Sequence, residues 1–146
     1  RGIIDSNIYN DGTGASVLTG GRRFSDSCST DIFIHMDGQE VFKFAVKSVP
    51  TAIETLLHNN NMDINDVDKF ILHQANVRII ESVAKRLKAD KDKFPVNLNE
   101  YGNTSSASIP ILLDELNRNG SLKQGEKLVL AGFGAGLSWG SILLVW

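Results

Sequence analysis

Leu72-His73-Gln74-Ala75-Asn76 places a histidine at the exit of an apolar strand, just where a helix begins. Histidine exchanges its proton near neutral pH, so such a residue suits proton transfer or polarisation of a substrate. Ligands in open α/β sheets collect at the carboxyl ends of strands, which makes the position as telling as the residue. The plain alternative is a histidine that caps the next helix or packs at its edge. A second segment, Tyr101-Gly102-Asn103-Thr104-Ser105-Ser106-Ala107-Ser108, sits at another strand-to-helix junction. Its small residues allow a ligand or another backbone to come close. A helix N-terminus there offers free N–H groups and partial positive charge. Alone, this cluster reads first as an N-cap; His73 and Asn103 on one carboxyl edge of one sheet strengthen the case for a site. The third segment, Gly132-Phe133-Gly134-Ala135-Gly136-Leu137-Ser138-Trp139-Gly140, has four glycines. A two-residue hairpin needs only about one or two. The excess suggests backbone N–H groups open to substrate, as in an oxyanion hole. The segment joins two strands and opens no helix, so it is not a dinucleotide-binding loop.

The order Cys28, His73, Asn103 mimics a cysteine protease. Cys28 lies in Ser25-Asp26-Ser27-Cys28-Ser29-Thr30, a polar loop with no following helix N-terminus to lower its pKa, and reads as an incidental thiol. His35 and His58 have no partners at ligand spacing, and no HExxH or CxxC pattern occurs, so no metal is expected. Arg78, Ser82 and Lys85 share one face of the helix after His73. Most such stripes are solvated faces, but this one begins beside the histidine, where an anionic partner fits.

These segments need a scaffold, and 146 residues are enough for one domain with a real core. Hydrophobic residues make up 42% and charged residues 22%, values of an ordinary globular protein. A net charge of −2 exerts no general pull toward nucleic acid or membrane. The longest apolar runs, such as Ile142 to Trp146, have strand length, far short of the roughly 18 residues of a membrane span. The start Arg1-Gly2-Ile3-Ile4-Asp5 shows no leader. A single cysteine fits a reducing, cytoplasmic setting.

Periodicity supplies the elements. Ile3 to Tyr9 is β-prone and closes on Asn10-Asp11-Gly12; Thr13 to Thr30 reads as a loop with at most short extended pieces. A helix runs from Asp37-Gly38 to about His58, with Pro50 expected to interrupt and bend it. Val67 to Leu72 is a strand, and Asn76 to Leu87 a helix burying Val77, Ile80, Ala84 and Leu87. Phe94 to Leu98 reads as another strand, and a third helix runs from about Ser105 to Asn119. Lys127 to Phe133 and Leu137 to Val145 are antiparallel strands joined by the glycine turn. The order β-α-β-α-β-α-β-β predicts an α/β fold, with a mixed, mainly parallel five-stranded sheet covered by helices.

Four motifs resemble those of β-ketoacyl-acyl carrier protein synthase III, a condensing enzyme of the thiolase fold. They are Met36-Asp37-Gly38-Gln39-Glu40-Val41-Phe42-Lys43, His73-Gln74-Ala75-Asn76-Val77-Arg78, Gly102-Asn103-Thr104-Ser105-Ser106-Ala107-Ser108 and the glycine segment from Gly132 to Gly140. Any one is weak; four in the family's order and spacing are specific. The resemblance implies one half of a two-half enzyme, the C-terminal one, spanning 1–146 as a single domain. The nucleophilic cysteine would lie in the N-terminal half, outside these residues. It would take an acyl group from acyl-CoA, and a malonyl-carrier protein would then lose CO₂ and attack the acyl-enzyme.

By the same resemblance His73 and Asn103 are catalytic, donating hydrogen bonds to the malonyl thioester oxygen as the enolate forms. Gly38, Phe42, Ala75, Asn76, Phe133 and Ala135 meet substrate, and Arg78 and Lys85 meet the acidic carrier protein. Gln39 stands where the family would carry asparagine, and Ala135 where glycine is common. No cofactor is implied. The implied partners are acyl carrier protein, a CoA thioester, the N-terminal half and a second copy in a homodimer, with no nucleic acid and no membrane. The leading expectation is an acyltransferase of fatty acid biosynthesis. Two others stand beside it: a synthase III-like acyltransferase of secondary metabolism, and a catalytically inert interaction module of the same fold.

Overall fold

The computed structural model describes residues 2–20 and 33–146; Cys28 lies outside them. Strand β1 (Gly2–Asn10) is followed by β2 (Leu18–Gly20) and β3 (Ile34–Met36), which pair antiparallel as a small separate ribbon. Helix α1 (Gly38–Asn59) follows, then β4 (Lys69–Leu72), α2 (Val77–Leu87), the single turn α3 (Leu98–Tyr101) and α4 (Ser108–Arg118). Strands β5 (Lys127–Gly134) and β6 (Ser138–Val145) complete the chain.

The main sheet has the order β1-β6-β5-β4. The α/β architecture with a mixed sheet holds, but its details correct the expectation of five mainly parallel strands. Among the described residues four strands pair, with β4–β5 parallel and β5–β6 and β1–β6 antiparallel. The first strand returns to the end of the chain and lies against β6, a pairing that alternation of strands and helices does not reveal. Phe94 to Leu98 is not a strand. A 3-10 turn at Lys91–Lys93 leads into α3 instead, and Phe94 is buried with its ring stacked on Phe70 at 4.7 Å.

Strand alternation divides the core into two layers. Phe70, Leu72, Val129, Ala131 and Leu143 face α1 and α2, packing on Ile53, Leu57, Ile80 and Val83. Ile71 and Leu128 face the other way, onto Leu112 and Leu116 of α4 and onto Leu122. Helix α1 starts cleanly because Asp37 caps it, its carboxylate accepting from the N–H groups of Gln39 and Glu40 at 3.0 Å. It runs unbroken through buried Pro50, contrary to the expected interruption. Proline has no N–H for the Val46 carbonyl four residues back. Arg86 of α2 reaches that carbonyl instead, its guanidinium donating across a long 3.4 Å. In α2 the buried stripe includes Ile79, Ile80, Val83, Ala84 and Leu87, while Val77, expected inside, is exposed in the first turn.

Candidate functional site

His73 directly follows β4, and its N–H donates to the Ala131 carbonyl at 2.9 Å, extending the parallel ladder one residue. The Ala75 N–H then donates back to the His73 carbonyl at 3.0 Å, turning the chain toward α2. The imidazole is thereby held at the carboxyl end of β4. Its Nδ1 lies 2.7 Å from the Ser108 hydroxyl, and its ring meets Phe133 edge-on, with centroids 5.3 Å apart. Burial pushes its pKa below the ordinary histidine value, because desolvation penalises the charged form. Burial thus favours the neutral imidazole, which can donate from one nitrogen while accepting at the other.

Phe133 has its own support. It contacts Phe44 at 6.4 Å, Phe44 contacts Trp139 at 5.3 Å, and Trp139 stacks on Tyr9 at 5.5 Å. These aromatic contacts, from α1, β6 and β1, restrict where the ring beside His73 can go. Behind the histidine, Gln74 is buried, its amide nitrogen donating to the Leu72 carbonyl at 2.8 Å. Its amide oxygen accepts from the Asn97 N–H at 3.2 Å, and Asn97 donates to Glu115 at 2.8 Å. Buried amides satisfied in this way fix a unique backbone path.

Asn103 follows Gly102, whose φ of 67° few other residues would accept. The Asn103 side-chain oxygen accepts from the Ser105 N–H at 3.0 Å, so the amide nitrogen is turned away as a donor. That nitrogen makes no hydrogen bond among the described residues, and the residue is exposed. Nearby, the Thr104 hydroxyl is shut from water with no partner among the described residues.

The turn between β5 and β6 separates the glycines by cause. A Cβ on Gly140 would lie 2.5 Å from the Asn7 carbonyl oxygen, so close pairing with β1 demands glycine there. Gly136 has φ 139° and would meet the Ser138 N–H group at 2.9 Å. At Gly134 a Cβ would meet nothing, and at Gly132 only Ile109 at an ordinary 3.8 Å. Two of the four glycines are thus required by backbone geometry. Paired bonds between Asp11 and Leu137, 2.7 and 2.8 Å, fasten this turn to the end of β1. Ala135 is exposed at its tip.

The remaining expected residues fall into two groups. Phe42 of α1 is half-buried, and the Arg78 guanidinium lies over its ring at 5.7 Å, joining two positions from different elements. Gly38 begins α1, and Ala75 packs against the core. Asn76 caps α2, its side chain accepting from the Arg78 N–H at 2.9 Å. Lys85 is exposed on α2, and Ser82 donates to the Arg78 carbonyl at 2.7 Å. Sequence reasoning did not single out Ser108. Its signal was a polar residue heading the stripe Ser108, Leu112, Leu116, all three buried on one face of α4. Among the described residues no cluster could hold a metal ion, and no helix is long and apolar enough to cross a membrane. A cleft of about 720 Å³, lined by residues including Tyr101, Pro110, Asp114 and Arg118, lies along α4.

The family described as 3-oxoacyl-[acyl-carrier-protein] synthase III C terminal matches residues 57–146. The β-ketoacyl-[acyl-carrier-protein] synthase III of Clostridium tetani is 44% identical over the whole chain, which covers 48% of that protein. Among solved structures, 3-oxoacyl-[acyl-carrier-protein] synthase III from Aquifex aeolicus superposes with a TM-score of 0.90 at 37% identity, over 99% of this chain and 44% of its own. The priming β-ketosynthase of the R1128 polyketide pathway gives 0.87 at 35% identity, over 99% of this chain and 45% of its own. The chain thus spans about half the length of the relatives it matches.

Proposed function

This chain belongs to the 3-oxoacyl-[acyl-carrier-protein] synthase III C-terminal family, and on that premise we propose that it forms the decarboxylating side of a condensing active site. In this reading 1–146 is one domain of a longer acyltransferase of fatty acid biosynthesis. A partner half supplies the cysteine that carries the acyl group from acyl-CoA. Malonyl-acyl carrier protein binds against His73 and Asn103. The bond between the malonyl α-carbon and its carboxylate breaks, CO₂ leaves, and the electron pair passes into an enolate whose thioester oxygen the two side chains hold. The carbanion then attacks the acyl-cysteine, forming the new carbon–carbon bond and releasing the thiolate.

The placement of His73 carries this reading: it is held at the carboxyl end of β4 with Nδ1 against the Ser108 hydroxyl at 2.7 Å, and burial favours its neutral form. A neutral donor gains strength as charge appears on the oxygen, so it favours the transition state over the bound substrate. Asn103, with its oxygen occupied by the Ser105 N–H, offers only N–H groups to the same oxygen. Phe133 keeps water from the carbanion. The Ala135 N–H completes the hole for the acyl carbonyl. Gly38, Phe42, Ala75 and Asn76 line the path of the pantetheine arm. Arg78 and Lys85 receive the acidic carrier protein. The reaction calls for no resident cofactor, and the setting is cytoplasmic. Ile3, Ile4 and Ile8, from 50 to 79% exposed along β1, support a face covered by the other half, in an enzyme that pairs as a homodimer.

The test is a pair of half-reactions in the full-length protein. His73→Ala or Asn103→Ala should slow malonyl decarboxylation about a hundredfold, the effect of losing one preorganised donor worth about 3 kcal/mol. Acylation of the cysteine should change much less. Equal losses in both would remove the assignment. A polyketide-priming acyltransferase is the second reading, favoured by the likeness to the R1128 ketosynthase. Comparing condensation on carrier proteins from fatty acid and polyketide synthesis separates the two.

A further inference from the structure

Ser108 is a buried hydroxyl, 2% exposed, at the first residue of α4, and it is 35 residues from the histidine it touches. We infer that Ser108 is a positioning residue that holds His73 in the tautomer with the proton on Nε2. The inference rests on the role proposed above for His73.

The Ser108 hydroxyl has one proton to place. A serine hydroxyl donates one hydrogen bond and accepts through two lone pairs. The Gln74 N–H already donates to the Ser108 oxygen at 3.3 Å, which fills one acceptor position. At 2.7 Å from His73 Nδ1, two arrangements remain. If Nδ1 carried the proton and donated, the hydroxyl would have to send its own proton elsewhere. Among the described residues it has no other acceptor, and at 2% exposure water does not serve it. A buried donor left unpaired is penalised. If the hydroxyl donates to Nδ1, every proton is placed: Gln74 to Ser108, Ser108 to His73, and the imidazole proton on Nε2. That nitrogen makes no hydrogen bond among the described residues, so its N–H is free for an oxygen arriving at the carboxyl edge of the sheet. Asn103 and Ser108 belong to one short segment. Fixing Ser108 against His73 therefore also sets the loop that bears the second donor.

The role is one of orientation. The serine touches neither substrate nor reacting atoms. A generic packing function for Ser108 would make stability suffer on its loss while the imidazole kept its proton arrangement. The test reads both in the full-length protein. Long-range nitrogen–proton correlation spectra of ¹⁵N-histidine-labelled protein, assigned with His73→Gln, should show His73 wholly protonated on Nε2. Ser108→Ala should give a mixture of tautomers and slow malonyl decarboxylation roughly tenfold to a hundredfold, the range for losing a partner that orients a functional histidine. Ser108→Thr, which keeps the hydroxyl, should restore the Nε2–H form and most of the rate. An Nδ1–H tautomer in the unaltered protein overturns the inference without any variant having to fold. So does a folded Ser108→Ala protein with the tautomer unchanged. Should the tautomer respond as expected while His73→Ala leaves decarboxylation intact, the proposed function fails and the positioning role stands.

Discussion

The two faces of the main sheet are built differently. On one, α1 and α2 cover Phe70, Leu72, Val129, Ala131 and Leu143, and these residues are at most 3% exposed. On the other, α4 covers the β4–β5 end through Leu112 and Leu116, while Leu130, Ile142 and Leu144 stay half-buried. Strand β1 sharpens the contrast, because its polar side chains turn toward α1. Asn7 donates to the Ala52 carbonyl at 2.8 Å and accepts from Ser141, and Asp5 accepts from Asn60 at 2.8 Å. By alternation Ile8 then stands on the α4 side, as does Ile3, which pairs with Leu144 beyond a bulge, and they are 79% and 72% exposed. A face that places amides inward and isoleucines outward satisfies its own helix and leaves apolar surface for something else to cover. The covered face supports the backbone of the site; the open face leaves apolar side chains in water.

The largest effect should come from the covered face. Phe70→Ala removes a fully buried ring stacked on Phe94, and should cost about 3–5 kcal/mol in denaturant unfolding. A loss under 1 kcal/mol would mean that this layer is not the main core. Next is the polar bridge that holds β1. Asn7→Ala strands the Ser141 N–H and hydroxyl and should cost about 1–3 kcal/mol. Hydrogen exchange should rise first along β1 and β6, and uniform loss of protection would show that β1 is not a separable edge.

A smaller effect concerns pH. His73 has its folded pKa lowered by burial, so between that value and the ordinary one, about 6.5, the unfolded chain binds more protons. Its contribution to stability is whole above the ordinary value and is lost as pH falls through the lowered folded value. In His73→Gln, the decline of stability with acidification should be shallower over that window, as read from urea midpoints. An unchanged slope would show that burial does not govern this group.

The smallest effect belongs to the open face. Ile8→Thr should change unfolding free energy by no more than about 0.5 kcal/mol, because the residue is already in water. Sedimentation of this chain alone should show weaker self-association. A cost comparable to Phe70→Ala would erase the distinction between the faces.

Legibility followed distance along the chain. Helix α1 and its Asp37 cap, and the extents of α2 and β4, follow from spacings within a few residues, and they were readable. His73 was readable as a residue at a strand-to-helix junction, since junction chemistry is local too, whereas Asn103 follows the single turn α3 and not the strand expected before it. Phe94 misled because its apolar flank serves stacking on Phe70 rather than a strand ladder. Pro50 misled because the carbonyl it leaves free is met by Arg86, a residue from another helix.

What the sequence determined by itself, then, is each element's amphipathic face, its caps, and the motif order that marks the family, because these depend on neighbours within a turn or two. Only the tertiary structure decided that β1 closes the sheet against β6 and that Gly140 is small for the sake of Asn7. Only there does Ser108 meet His73, and Arg78 lie over Phe42. Each of these is a contact between distant segments, set by which surfaces bury together once the chain has collapsed, and no periodicity within a single segment encodes its partner.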